Sequence, residues 1–162
     1  VQLWVNLPQK DKMTMPKYQG IKNESIPVVD VNDTVKIRII AGELDGTKGP
    51  ASTFTPINIY DVNSTKEQTL SLNLKSGSNT ILLILRGEVD VDSIKYSERS
   101  VLIFDQGGEK LDFKTSSNFK GLILNGKPID EPMVAHGPFV MNTRAEISQA
   151  IKDYQNGKMG KL

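Results

Sequence analysis

The sequence has no cysteine and a single histidine, His136, among 162 residues. The first absence excludes a disulfide framework, thiolate zinc sites and cysteine nucleophiles. The second leaves metal chemistry short of nitrogen donors, because a facial triad needs two imidazoles and a carboxylate converging on one ion. No carboxylate stands in register with His136 on a recognisable strand, so it reads as a loop residue making a local hydrogen bond. Charge of either sign is not in excess: 20 Lys and Arg face 19 Asp and Glu, and no global field draws the chain to nucleic acid or anionic lipid. No apolar run approaches the roughly 20 residues of a membrane-spanning helix. A G-x-S-x-G elbow is missing, and the Gly-rich stretch 42–49 lacks the G-x-x-x-x-G-K-[ST] spacing of a phosphate loop. We expect a cytoplasmic protein with no direct nucleic-acid or membrane partner.

What is present reads as strands. At this length one domain with a sizeable core is expected, burying about 70% of its unfolded surface. Leu3 and Val5 against Trp4 suggest a short opening strand, and residues 9–22 have a linker composition broken by Pro16 and Gly20. Val28-Val29-Asp30-Val31 ends at Asn32-Asp33, after which Val35, Ile37 and Ile39 alternate with Lys36 and Arg38. Residues 42–50 read as a loop. Ile57 to Tyr60, the alternating Leu70, Leu72 and Leu74, and Leu111 with Phe113 give further strands. Ile81 to Leu85 is apolar on both faces, as a central strand between packed sheets would be. Val101 to Phe104 is closed by Asp105-Gln106-Gly107-Gly108, and Leu122-Ile123-Leu124 meets Asn125-Gly126. Both are hairpin signals.

One helix closes the chain. Thr143 and Glu146 have capping-box spacing, and Ile147, Ala150, Ile151 and Tyr154 recur at i, i+3, i+4 and i+7. Asn156-Gly157 should end it. About ten short strands and one terminal helix fit an all-β jelly-roll sandwich or barrel.

Three clusters could carry chemistry. Glu88, Asp90 and Asp92 at i, i+2, i+4 share one strand face, a pattern that suits calcium but more often marks a solvated strand face. Glu43 and Asp45 could form a carboxylate pair for glycoside hydrolysis, although nothing fixes their separation. Lys10, Lys12, Lys17 and Lys22, with Met13, Met15 and Tyr18 between them, could contact an anion or a nucleic acid. Asp11 and Glu24 offset that charge, which favours a connector.

Gly137-Pro138-Phe139-Val140-Met141-Asn142-Thr143, followed by Glu146, Ile147, Gln149, Ala150, Asp153 and Tyr154, resembles the end of the pirin family. Gln2-Leu3-Trp4-Val5-Asn6-Leu7-Pro8, Lys12-Met13 and Pro16-x-Tyr18-Gln19 resemble the segment joining the two cupin domains of pirins. Ala41-Gly42-Glu43, Thr53-x-Thr55-Pro56, Arg86-Gly87-Glu88-Val89 and Glu131-Pro132 fall between them in the family's order. The resemblance narrows the fold to a cupin and covers the C-terminal half of a pirin. It implies an interdomain strand and linker at 1–24, the C-terminal cupin at 25–142, a helix at 143–157 and a tail at 158–162. It also suggests that something upstream of Val1 is missing, cut away or encoded separately, and a truncated or proteolysed chain is expected.

Pirins are metal-binding cupins, some with quercetin 2,3-dioxygenase activity and others acting as transcriptional cofactors. The three His and one Glu of their N-terminal cupin have no counterpart here. We therefore assign no catalytic, cofactor-binding or metal-ligating residue, and place iron or another divalent metal only in the N-terminal cupin. The expected role is structural, as a metal-free half that is not catalytic alone. The alternative is the C-terminal part of a metal-dependent quercetin 2,3-dioxygenase. Expected partners are the N-terminal cupin, other proteins, or a second copy joined through the strand around Trp4. A sugar or other small molecule in the barrel interior is a third reading, which requires a roomy polar pocket.

Overall fold

The computed structural model describes residues 1–159. Their contacts divide into two compact units, residues 21–128 and residues 1–20 with 129 onward. The expected tail at 158–162 lies, for its last three residues, outside the described residues. No helix among the described residues is long and apolar enough to cross a membrane.

The larger unit is built from strands β1 (Val28–Asn32), β2 (Val35–Ala41), β3 (Glu43–Leu44), β4 (Thr47–Lys48), β5 (Ile57–Ser64) and β6 (Gln68–Asn73). It continues with β7 (Asn79–Arg86), β8 (Glu88–Val91), β9 (Ile94–Ser97), β10 (Val101–Phe104), β11 (Lys110–Thr115) and β12 (Phe119–Gly126). One sheet has the order β1-β2-β5-β12-β7-β10 and the other β6-β11-β8-β9. From β5 to β12 the chain changes sheet at every connection except β8–β9, which is the wrapping of a jelly roll.

Side-chain alternation explains the packing. Val35, Ile37, Ile39, Tyr60, Val62, Leu82, Ile84, Phe119 and Ile123 line the inner face of the six-stranded sheet, each at most 1% exposed. Leu70, Leu72, Val89, Leu111 and Phe113 face them from the other sheet, and Phe113 and Phe119 meet with ring centroids 6.4 Å apart. Gly121 leaves room for that aromatic pair. A Cβ there would lie 2.5 Å from Phe119 Cζ and 3.1 Å from the Leu83 carbonyl oxygen.

Several local expectations are corrected. Asn125-Gly126 makes no hairpin. Both residues lie inside β12 and pair with β5 on one side and β7 on the other, because the Asn125 side chain points inward to partners of its own. Asp105 to Gly108 is a crossover instead of a hairpin turn, since β10 pairs β7 and β11 pairs β6 and β8. Residues 42–50 hold a tight hairpin, with Asp45 (φ 48°) and Gly46 (φ 79°) at its tip. The expected strand at residues 3–5 makes no ladder, and Trp4 is 73% exposed.

In the smaller unit a short hairpin, β13 (Val134–His136) with β14 (Phe139–Met141), precedes helix α1 (Arg144–Gln155). The helix opens on the expected capping box: Thr143 Oγ1 accepts from the Glu146 N–H at 3.2 Å and Glu146 Oε2 accepts from the Thr143 N–H at 2.7 Å. It ends at Gly157 (φ 68°), where the Lys158 N–H reaches the Asp153 carbonyl at 2.8 Å. Ile147 and Ala150 are buried, while Tyr154 is largely exposed and meets Phe139 edge-on.

Replacing Gly121 by Ala should displace the Phe119 ring and lower stability by about 1–3 kcal/mol. Denaturant unfolding of the variant checks this, and an unchanged midpoint would contradict the packing described.

Candidate functional site

Cupin chemistry, where it exists, takes place inside the barrel, so the interior is the place to look. Most of it is closed by the apolar residues above. Toward one end β5, β7 and β12 bring the polar side chains of Asn58, Thr80 and Asn125 together, while the buried Ser64 and Thr115 at the other end donate to the Lys66 and Gln68 carbonyls. Asn58 Nδ2 donates to Asn125 Oδ1 at 3.0 Å, and Asn125 Nδ2 donates to Thr80 Oγ1 at 3.0 Å. Asn58 Oδ1 accepts from the Glu43 N–H at 3.3 Å, which ties the relay to the β3–β4 hairpin. Gly42 (φ 78°) makes that approach possible, because any Cβ there would strike the Asn58 amide. Tyr60, 1% exposed, donates its hydroxyl to the Glu43 carbonyl at 2.6 Å.

Every member of this relay is neutral. Amides and hydroxyls satisfy one another, as buried polar groups must, and none is a strong ligand for a transition metal. Tyr60 is the one titratable group among them. Burial, reinforced by the negative charges of Asp45 and Glu43, pushes its phenol up to about 12. Among the described residues no group of three or more His, Cys, Asp or Glu side chains is placed to hold a metal ion. The residues of this interior therefore do not fit the metal that metal-binding cupins carry.

The candidates named from sequence are scattered. His136 is exposed in β13, in the smaller unit. Glu88 and Asp90 lie in β8, but Asp92 does not share their strand face. The strand ends at Val91, and Asp92 (φ 52°) and Ser93 (φ 66°) form the turn into β9. Asp90 stands opposite Lys95 on β9 and Lys114 on β11, and Lys114 also pairs with Glu67. Alternating charge across three strands is a solvated ladder, not a calcium cage. Glu43 pairs with Lys48 at 3.7 Å, while Asp45 occupies the hairpin tip. Met13, Met15 and Tyr18 are between 66% and 84% exposed, and Lys12 turns back to Asn6 at 2.6 Å and the Val140 carbonyl at 3.2 Å.

The motifs at the two ends of the sequence meet in the smaller unit. Gln9 gives its backbone N–H to Glu131 Oε2 at 2.7 Å and its side-chain amide to Glu146 Oε1 at 2.8 Å. Asn142 Nδ2 donates to the same Glu131 oxygen at 2.9 Å. Hydrogen bonds from Gln9, then from Thr143 and Asn142, hold the Glu146 carboxyl below its ordinary range. Gln9 was not legible as a partner, since no spacing rule links residues more than a hundred positions apart.

The outer face of the six-stranded sheet divides by polarity. Toward β1, β2 and β5 it carries Asp30, Lys36, Arg38 and Asp61, with Arg38 Nη1 at 3.0 Å from the buried Asp61 carboxylate. Toward β12, β7 and β10 it carries Leu122, Leu124, Ile81, Leu83, Val101 and Ile103 in register. Ile103 is 77% exposed and Val101 57%. Contiguous exposed apolar surface of this kind marks interaction sites.

Comparison with known proteins agrees with this architecture. A family model described as the Pirin C-terminal cupin domain matches residues 59–160. A crystal structure of quercetin 2,3-dioxygenase from Acinetobacter baumannii superposes with a TM-score of 0.91 at 39% identity, covering 98% of this chain and 56% of that one. Pirin-1 of Arabidopsis thaliana is 36% identical over 99% of this chain and 58% of its own length. The pirin of Mus musculus is 35% identical over 99% of this chain and 57% of its own length. The chain thus spans about half the length of the curated relatives it matches.

Tyr60 gives the interior a spectroscopic handle. Its phenol is raised from 10.0 to about 12, so the stability contributed by burying it neutral is fully present below pH 10 and lost as pH rises toward 12. An ultraviolet absorbance titration should show a phenolate step near pH 12 that Tyr60→Phe removes. Ionisation of Tyr60 near pH 10 would mean that the interior is wet.

Proposed function

Because this chain belongs to the pirin family, we propose that it serves as the metal-free half of a two-cupin protein, not catalytic alone, with a structural and interaction role. The observation that carries this reading is the filled barrel. Ile, Val, Leu and Phe occupy the inner positions from which a cupin would present metal ligands, and the polar groups at one end are neutral and mutually satisfied. Among the described residues the inner positions offer no donor set for a metal ion.

Its partner on this reading is an N-terminal cupin, and the surface offered to it is the apolar region around Val101 and Ile103. Desolvating branched aliphatic side chains in register on three strands gives a large driving force for docking. Trp4, 73% exposed beside Val5 at 55%, offers a second apolar surface, on which two copies of the chain could meet instead.

A second reading concerns the parent protein. The Acinetobacter baumannii relative is titled quercetin 2,3-dioxygenase, and a parent with that chemistry would hold iron or another divalent metal in its N-terminal cupin. This chain would then shape the active site from outside and supply none of its ligands.

A polypeptide comprising the part of the Acinetobacter baumannii enzyme that precedes the matched region should bind this chain when the two are mixed. Replacing Val101 and Ile103 together by Glu should weaken that binding about a hundredfold. Quercetin consumption by the mixture, and by neither part alone, favours the dioxygenase parent. Unchanged affinity in the double variant contradicts the proposed docking face.

A further inference from the structure

The crossover from β10 to β11 builds something that a hairpin turn would not. Asp105 to Glu109 passes from one sheet to the other and meets the β6–β7 turn on the way. Gln106 accepts the Gly77 N–H on its backbone carbonyl at 3.0 Å and donates its side-chain amide to Asn79 Oδ1 at 2.7 Å. Leu74 gives its N–H to the Glu109 carbonyl at 2.8 Å. The two connections are thereby braced against each other, and between them lies a cavity of ≈ 250 Å³.

Its lining combines an apolar floor with a basic rim. Leu74, Phe104 and Leu111 belong to or pack on the barrel core, so the floor is fixed by the fold. Ser78 and Thr80, 7% and 6% exposed, place hydroxyls beside it, and Thr80 is the end of the Asn58–Asn125 relay. Lys75 and Lys110 stand on the rim with no ion-pair partner among the described residues, against the single carboxylate of Asp105. Gly107 and Gly108 have nothing within 4 Å of where a Cβ would be, and Gly108 is at φ 96°. The cavity edge is accordingly uncrowded at these two residues.

We propose that this cavity binds a small organic carboxylate with an apolar body. The carboxylate lies between Lys75 and Lys110 at the open edge formed by Gly107 and Gly108, and the body rests on Leu74, Phe104 and Leu111. The volume limits the guest to something about the size of a substituted benzene ring, below the range of drug-sized ligands. Two cations at the rim select charge, because an anion held near both gains Coulomb energy that a neutral isostere does not. Thr80 and Ser78 supply hydroxyls for a polar substituent on the guest. The site lies at the end of the barrel and needs neither the N-terminal cupin nor a metal.

The test is a ¹H–¹⁵N NMR titration of the full chain with benzoate and, separately, with the neutral isostere benzamide. Benzoate should give saturable shifts at the amides of Lys75, Gly77, Gly107 and Gly108, with benzamide binding about tenfold more weakly. Lys75→Ala with Lys110→Ala should remove the difference between the two probes. Both lysines are exposed, so the variant spectrum should otherwise match the parent. The proposal is overturned by unsaturable or dispersed shifts, by equal affinity for benzamide in the parent chain, or by a benzoate preference that survives in the double variant.

Discussion

The structure depends on the meeting of two inner sheet faces. Val35, Ile37, Ile39, Tyr60, Val62, Leu82, Ile84, Phe119 and Ile123 from one sheet close on Leu70, Leu72, Val89, Leu111 and Phe113 from the other. Protein interiors assembled from such faces have few voids larger than a water molecule. The same side chains that drive folding therefore occupy the volume in which a catalytic cupin would work. On the proposed reading, stability and chemistry compete for one interior, and aliphatic and aromatic side chains line most of it.

That competition displaces polar function to the margins of the larger unit. At Asn58, Thr80 and Asn125, three of the polar inner positions, the groups satisfy each other in sequence. Such a relay rigidifies the strand ends it joins, since a single unsatisfied member would cost about 1–3 kcal/mol. The charged half of the outer face is likewise paired, Arg38 with Asp61 and Lys36 with Asp30. The β12, β7 and β10 half is not, and it is there that the proposed partner finds an apolar surface.

Much of the fold was legible in the sequence, for a definite reason. Period-two alternation in β2, β6 and β11 and the capping box at Thr143 are local signals, and their expected elements are present. The turns were less legible. Asn125-Gly126 carries a strong hairpin signal, but its neighbours in space, β5 and β7, extend β12 through it. Asp105 to Gly108 has turn composition and does turn, yet into the opposite sheet, a choice made by β6 and β7 more than by its own residues. Asp92 missed its strand because the β8–β9 hairpin tip needed two residues at positive φ. The Glu131–Gln9–Glu146 network was hidden because it joins residues from opposite ends of the chain.

The central proposal is that this chain is the metal-free half of a two-cupin protein, its inner positions lacking a donor set for a metal ion among the described residues. Equilibrium dialysis of this chain alone against Fe(II) and Mn(II), followed by metal analysis, tests it most directly. The account predicts well under about 0.1 equivalents retained per chain, because one exposed imidazole and scattered carboxylates form no site. One equivalent of either ion held by side chains of this polypeptide would contradict it.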